Sequence, residues 1–156
     1  MRVGLAAAAA LDRFAPEPIR LKWPNDLYID RGKLGGILVE ARWREQAVEW
    51  VAIGLGVNVA APPDMHTAAG LEPGTDRLDV LGDLVPAVHA AARSTGPLDA
   101  SEMEEFDARD LARGQRCIEP AVGRVAGISP TGELLVALAD SVASFRSGSL
   151  VLEDAK

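Results

Sequence analysis

Lys22, Trp23, the glycines of Gly35-Gly36 and Gly54-x-Gly56, and Asn58 are the residues whose types and spacing suggest chemistry. One ammonium among apolar neighbours can hold an anionic group such as a carboxylate or a phosphate. Glycine inside a strand costs stability and leaves nothing to pack. Its usual meanings are a bulge, or a place where another backbone or a ligand comes close. β-Branched and aliphatic residues dominate 33–43 and 50–59, and antiparallel pairing of these runs through a polar turn near 44–46 sets the two glycine sites on neighbouring strands. The expected product is a flat floor, poor in side chains, beside a single cation. Asn58 would offer its side-chain amide to a phosphate or to a metal-bound water, and Trp23 an apolar wall.

The surrounding sequence must supply the elements that hold these groups. Residues 1–14 carry five consecutive alanines and end before Pro16, which suits a helix; the apolar run is too short to span a bilayer and has no small-residue cleavage site. Residues 21–23 run extended into Pro24, Asn25-Asp26 turn the chain, and 27–30 form a short strand that turns at Arg31-Gly32. Residues 60–76, with Pro62-Pro63 and Pro73-Gly74, read as a surface loop. Apolar residues at helical spacing predict a helix over 78–94. Ser101 with Glu104 resembles a capping box for a second helix reaching 111. From Gly114 the texture is all β, with short strands over 115–118, 123–128, 133–138, 142–146 and 150–152.

Composition bounds the function. The 156 residues carry a net charge of −7, so nothing favours nucleic acid or an anionic membrane by electrostatics. One cysteine, Cys117, excludes an internal disulfide, fits a reducing cytoplasm and reads as a buried, inert thiol. His66 and His89 stand alone and are assigned no metal role. The acids Glu102, Glu104, Glu105 and Asp107 read as a solvated helix face, and Trp43 and Trp50 as core or strand-edge packing.

Taken in order, Lys22-Trp23-Pro24-Asn25-Asp26-Leu27, Lys33-Leu34-Gly35-Gly36-Ile37-Leu38 and Gly54-Leu55-Gly56-Val57-Asn58 resemble the catalytic domain of biotin protein ligases. Three motifs at short spacing are far more specific than any one of them. A related lipoate-type ligase is disfavoured by Lys-Trp-Pro-Asn-Asp. The resemblance implies an α+β fold, a mixed or antiparallel sheet with flanking helices over residues 1–112, followed by a small SH3-like β-barrel over 113–156. It implies a two-step, ATP-dependent reaction: biotin and ATP give biotinyl-adenylate and pyrophosphate, and a lysine of a biotin carboxyl carrier protein, as in acetyl-CoA carboxylase, attacks the anhydride. Lys22 is the implied catalytic residue. Lys22, Trp23, Gly35 and Gly36 would bind biotin, and Gly54, Gly56 and Asn58 the nucleotide, with Mg²⁺ as cofactor, no protein metal site, and a homodimer as a possible assembly.

Relative to the family pattern, these residues start at the helix just before the lysine strand. The biotin-contacting strand, the glycine- and arginine-rich closing loop and the N-terminal helix-turn-helix of regulatory members have no counterpart among them. A chain of this extent is expected to leak adenylate and to expose an apolar face, and so to be a poor ligase prone to association. The alternative is a non-catalytic relative that binds biotin, nucleotide or carrier.

Overall fold

The computed structural model describes residues 1–153; the last three residues of the predicted C-terminal module, 154–156, lie outside it. The chain opens with α1 (Arg2–Leu11), extended by a 3-10 turn over Asp12–Phe14. Small side chains let this helix lie close on the sheet beneath it: Ala7 and Ala8 are fully buried, and a Cβ added at Gly4 would touch Leu21 and Ile37 at 3.6 and 3.7 Å.

Four strands follow, β1 (Arg20–Lys22), β2 (Asp26–Ile29), β3 (Gly32–Arg44) and β4 (Ala47–Val57), antiparallel and in the order β1-β2-β3-β4. The two hairpin turns carry Asp30 at φ 47° and Glu45 at φ 57°, left-handed positions that Asp tolerates better than most residues. Two helices come next, α2 (Arg77–Ala92) and α3 (Ala100–Arg109). The capping box of α3 is made by Asp99 and Glu102, two residues before the expected Ser101 and Glu104; Ser101 instead donates its hydroxyl to Asp99 at 2.7 Å. Asp99 prevails because a carboxylate accepts the backbone N–H at the positive end of the helix more strongly than a hydroxyl.

The remaining strands, β5 (Arg116–Glu119), β6 (Gly123–Ile128), β7 (Leu134–Ala137), β8 (Val142–Phe145) and β9 (Val151–Leu152), form a second antiparallel sheet in the order β8-β7-β6-β5-β9. Its edges β8 and β9 do not pair among the described residues, so the sheet is compatible with the expected SH3-like module without closing into a full barrel. Parallel pairing is confined to isolated bridges, Leu21 with Asp110 and Lys33 with Ala68.

One buried cluster joins Leu5, Leu11, Leu27 and Leu34 to Phe106, Val125 and Val136 of the later elements. Cys117 is fully buried within it, its thiol facing the Ala121 carbonyl, as expected for an inert thiol. The tryptophans divide. Trp23 is 3% exposed, but Trp43 and Trp50 are 63% and 47% exposed, against expectation. From Leu38 outward β3 is exposed, as are its β4 partners apart from the half-buried Ile53, so the far end of the hairpin is an arm that buries neither indole.

Candidate functional site

The strand register assembles the site. Lys22 faces Asp26, Asp26 faces Gly36, and Gly36 faces Gly56 across three successive strand pairs. Directly paired residues share a face, so these four form one row about 14 Å long at the usual spacing of strands. The next row on that face pairs Leu38 with Gly54. Lys22, Gly36, Gly54 and Gly56 therefore stand on one side of the sheet, while Leu21, Leu27 and Gly35 point to the other.

The four glycines are not equivalent. A Cβ at Gly35 would stand 2.1 Å from the Gly56 carbonyl oxygen, so Gly35 is required by the close approach of β4. At Gly36 it would meet Asp26 Oδ1 at 3.3 Å. At Gly54 the first atom met is Leu38 Cβ at 3.9 Å, and at Gly56 nothing lies within 4 Å. The cleared floor is thus Gly54 and Gly56, with Gly36 beneath a neighbouring carboxylate.

Lys22 heads the row from a strand of only three residues, which is clamped from outside the sheet. The Arg20 guanidinium donates to the Arg109 and Asp110 carbonyls at 3.1 and 2.8 Å, and Leu111 N–H donates to the Leu21 carbonyl at 2.8 Å. Asp110 turns the chain there by accepting the Ala112 N–H at 2.9 Å, and burial pushes its carboxyl above the usual carboxylate range. The Lys22 ammonium lies 5.8 Å from the Tyr28 ring centroid, within cation–π range. Burial, then the charge of Asp26, raises the Tyr28 phenol. Asp26 itself is 2.6 Å from the Lys33 ammonium.

Asn25 mimics a strand residue: its carbonyl accepts the Ile37 N–H at 2.9 Å and its side-chain amide donates to the Ile37 carbonyl at 2.7 Å. Trp23, beside Lys22, donates its indole N–H to the Gly132 carbonyl of the β6–β7 turn at 3.0 Å. Asn58 does not present its amide N–H groups to open space. They reach the Lys33 and Ala69 carbonyls at 3.4 and 3.2 Å, because the loop after β4 folds back along Lys33 and needs those carbonyls satisfied.

A cavity of about 860 Å³ takes in Lys22 and Trp23 together with Asn25, Asp26, Leu38 and Arg146, but not Gly35, Gly36, Gly54, Gly56 or Asn58. Most of the sheet residues lining it, Leu21, Ile37, Val39, Val51 and Ile53, belong to the face opposite the glycine floor, and Lys22, Asp26 and Leu38 join it from the floor side. Arg146, 88% exposed on its side chain and paired with Glu133 at 2.7 Å, joins Lys22, Arg2 and Arg93 as a cation on the cavity wall. Sequence reasoning missed it, since nothing but its place after β8 distinguishes it from other surface arginines. The acidic helix α3 is also less solvated than expected: Glu102 is held by Arg2, whose guanidinium keeps its carboxyl below the usual range, and Glu105 pairs with Arg109 at 3.2 Å. Among the described residues no group of three or more His, Cys, Asp or Glu side chains stands together to hold a metal, and no helix is long and apolar enough to cross a membrane.

An antiparallel sheet backed by an alanine-rich helix, with one lysine at the head of a glycine row, is the arrangement of the biotin/lipoate A/B protein ligase family, whose model matches residues 2–58. Within that family the relatives it resembles are biotin protein ligases. It is 33% identical over 138 residues to the biotin–[acetyl-CoA-carboxylase] ligase of Paracoccus denitrificans, covering 76% of this chain and 56% of that one. It is 40% identical over 58 residues to the bifunctional ligase/repressor of Escherichia coli, 37% of this chain and 18% of that one. The apo biotin protein ligase of Aquifex aeolicus superposes with a TM-score of 0.77 at 21% identity, covering 97% of this chain and 73% of that one. The same protein in complex with biotin and ATP superposes at 0.73, covering 98% and 69%. The chain thus spans little more than half the length of the Paracoccus relative.

Proposed function

We propose that this chain serves ATP-dependent biotinylation: a biotin carboxylate oxygen attacks the α-phosphorus of ATP, pyrophosphate leaves, and the ε-amine of a carrier lysine then attacks the acyl carbon of biotinyl-5′-AMP and expels AMP. The carrier in this reading is the biotin carboxyl carrier protein of acetyl-CoA carboxylase, and the setting cytoplasmic. Support comes from the relatives above, one of which is named for that carboxylase and another of which was solved with biotin and ATP.

The observation that carries the reading is the placement of Lys22. Among the described residues it forms no ion pair with a carboxylate, and it heads a row that ends at the uncovered Gly56, with Gly54 in the next row of the same face. Bringing a carboxylate to a triphosphate sets anion against anion, and a preorganised ammonium offsets that repulsion as charge grows in the transition state. Biotin, mostly an apolar bicycle and chain, would lie against Trp23 and the glycine backbone. The nucleotide would lie toward Gly54 and Gly56, with Arg146 as a further cation near Lys22. Mg²⁺ finds no protein cage among the described residues; it would ride on the phosphates and its own waters, and no step here depends on a protein-bound metal.

Biotin-dependent pyrophosphate release by the chain and by Lys22→Ala, at saturating biotin and ATP, tests the reading. The variant should lose about 10²–10³-fold, as for removal of one preorganised oxyanion donor. A variant within a few-fold of the parent overturns the assignment of Lys22. A parent that binds biotin but releases no pyrophosphate overturns the ligase reading in favour of a non-catalytic binder.

A further inference from the structure

Lys22 and Asp26 face each other directly across β1 and β2. Side chains so paired have Cβ atoms about 4.5–5.5 Å apart, and opposite charges there normally meet. Here they do not. Asp26 Oδ1 is held by the Lys33 ammonium at 2.6 Å, while the Lys22 ammonium rests over the Tyr28 ring. We propose that Lys33 is a positioning residue that occupies the Asp26 carboxylate and so keeps the Lys22 ammonium available for an incoming anion. This rests on the reading of Lys22 as the anion-binding cation.

The placement of Lys33 is built into the fold. Its N–H donates to the Thr67 carbonyl at 2.8 Å, and its carbonyl accepts the Ala69 N–H at 2.9 Å and the Asn58 amide at 3.4 Å. Its side chain therefore starts from a backbone fixed on both sides. It then crosses Gly36, where a Cβ would stand 3.9 Å from Lys33 Cε and 3.3 Å from Asp26 Oδ1. Gly36 thus provides the seat for the ion pair, and Asn58 acts at a distance by anchoring the residue that makes it. The Asp26 side chain is 20% exposed and the Lys33 side chain 48%, so the pair is only partly screened by water.

Without the Lys33 charge, the Asp26 carboxylate directly opposite Lys22 competes with every anionic ligand for its ammonium. A site captured in this way by an internal carboxylate about nine-tenths of the time binds its anion about ten-fold more weakly. The same loss is expected in kcat/KM, because the transition state needs the same free ammonium.

The test uses Lys33→Met, Lys33→Arg and Lys33→Met/Asp26→Asn, with thermal melts confirming that each folds. Calorimetric titration with biotin should show about ten-fold weaker binding for Lys33→Met, near-parent binding for Lys33→Arg, and recovery in the double variant, where no competing carboxylate remains. A purely structural role for Lys33 predicts no recovery. A crystal structure of the ligand-free Lys33→Met form gives an independent arm: the Lys22 ammonium should leave the Tyr28 ring and stand within ion-pair distance of Asp26, and return to the ring in the double variant. The other charged or titratable groups that line a pocket with Lys22 on its Tyr28 side, namely Glu17, Arg20, Tyr28, Asp30, Arg31 and Glu153, are common to all forms. Unchanged biotin affinity in Lys33→Met, or a double variant as weak as the single one, overturns the proposal. If Lys22→Ala binds biotin normally while the Lys22 ammonium of Lys33→Met still moves to Asp26 as stated, it is the role of Lys22 that fails and the ion-pair exchange that stands.

Discussion

Two alanine substitutions on neighbouring strands should have opposite effects on stability, and only one should touch a ligand. At Gly35 an alanine Cβ would be placed 2.1 Å from the Gly56 carbonyl oxygen, which a strand-paired backbone cannot yield without breaking its ladder. Overpacking of this kind costs about 1–3 kcal/mol. For a chain of this size each kcal/mol lowers the melting temperature by about 2–4 °C, so Gly35→Ala should melt about 2–12 °C early. At Gly56 a Cβ meets nothing within 4 Å, and the residue is not among the glycines with positive φ. Gly56→Ala should therefore be neutral or stabilising by about 0.4–1 kcal/mol, through lost freedom of the unfolded chain. The same methyl rises from the floor that the ligand is proposed to cover, so biotin or ATP binding should weaken although the protein melts later. Differential scanning calorimetry and isothermal titration on both variants read the two effects separately. A Gly56→Ala protein that binds both ligands as tightly as the parent refutes the floor; one that melts several degrees early refutes the geometry behind it.

Asp110→Ala should cost about 1–3 kcal/mol by orphaning the Ala112 N–H, whereas Asp110→Asn, still an acceptor, should be tolerated at pH 7. The carboxyl of Asp110 is raised by burial, so its charge costs stability above the folded pKa and the cost is relieved as pH falls through it; Asp110→Asn should remove that contribution from melts taken between neutral and acid pH. Glu102 is shifted the other way: stability from its pairing with Arg2 is present above the ordinary glutamate pKa of about 4.3 and is lost as pH falls through the lower folded value. Arg2→Met should thus flatten the acid limb of a plot of melting temperature against pH, and an unchanged limb would contradict the pairing. Trp23→Phe should lose about 1 kcal/mol with the hydrogen bond to Gly132, seen as a fall of about 2–4 °C in melting temperature.

The strands around the site were legible because their signals are local. Alternation, the Asp30-Arg31-Gly32 turn and the glycine pairs all act over a few residues, and the row from Lys22 to Gly56 follows from pairing them in order. The contents of the row were less legible. Lys22 and Lys33 look alike in sequence, and only the register shows that both can reach Asp26 and that Lys33 does. Asn58 was expected to face a ligand; its amide was taken by a loop that periodicity leaves blank. The open C-terminal sheet, the exposed Trp43 and Trp50 and the buried Asp110 depend on what packs against them from far along the chain, which no short window of residues contains.

The pairing of β3 with β4 also sets a rule on chain length. Gly54 and Gly56 reach the floor only because an even count of strand positions separates them and because the turn at 44–46, with the bulge between Arg42 and Trp43, delivers β4 in the right phase. Side chains alternate between faces with a period of two, so one residue gained or lost between that bulge and Gly54 would turn Ile53 and Leu55 onto the floor and send both glycines to the back. Two residues gained or lost would leave the faces intact and change only the reach of the arm. Natural length variation in this hairpin is therefore expected to come in pairs, so that the arm can lengthen or shorten across species without the floor registering the change.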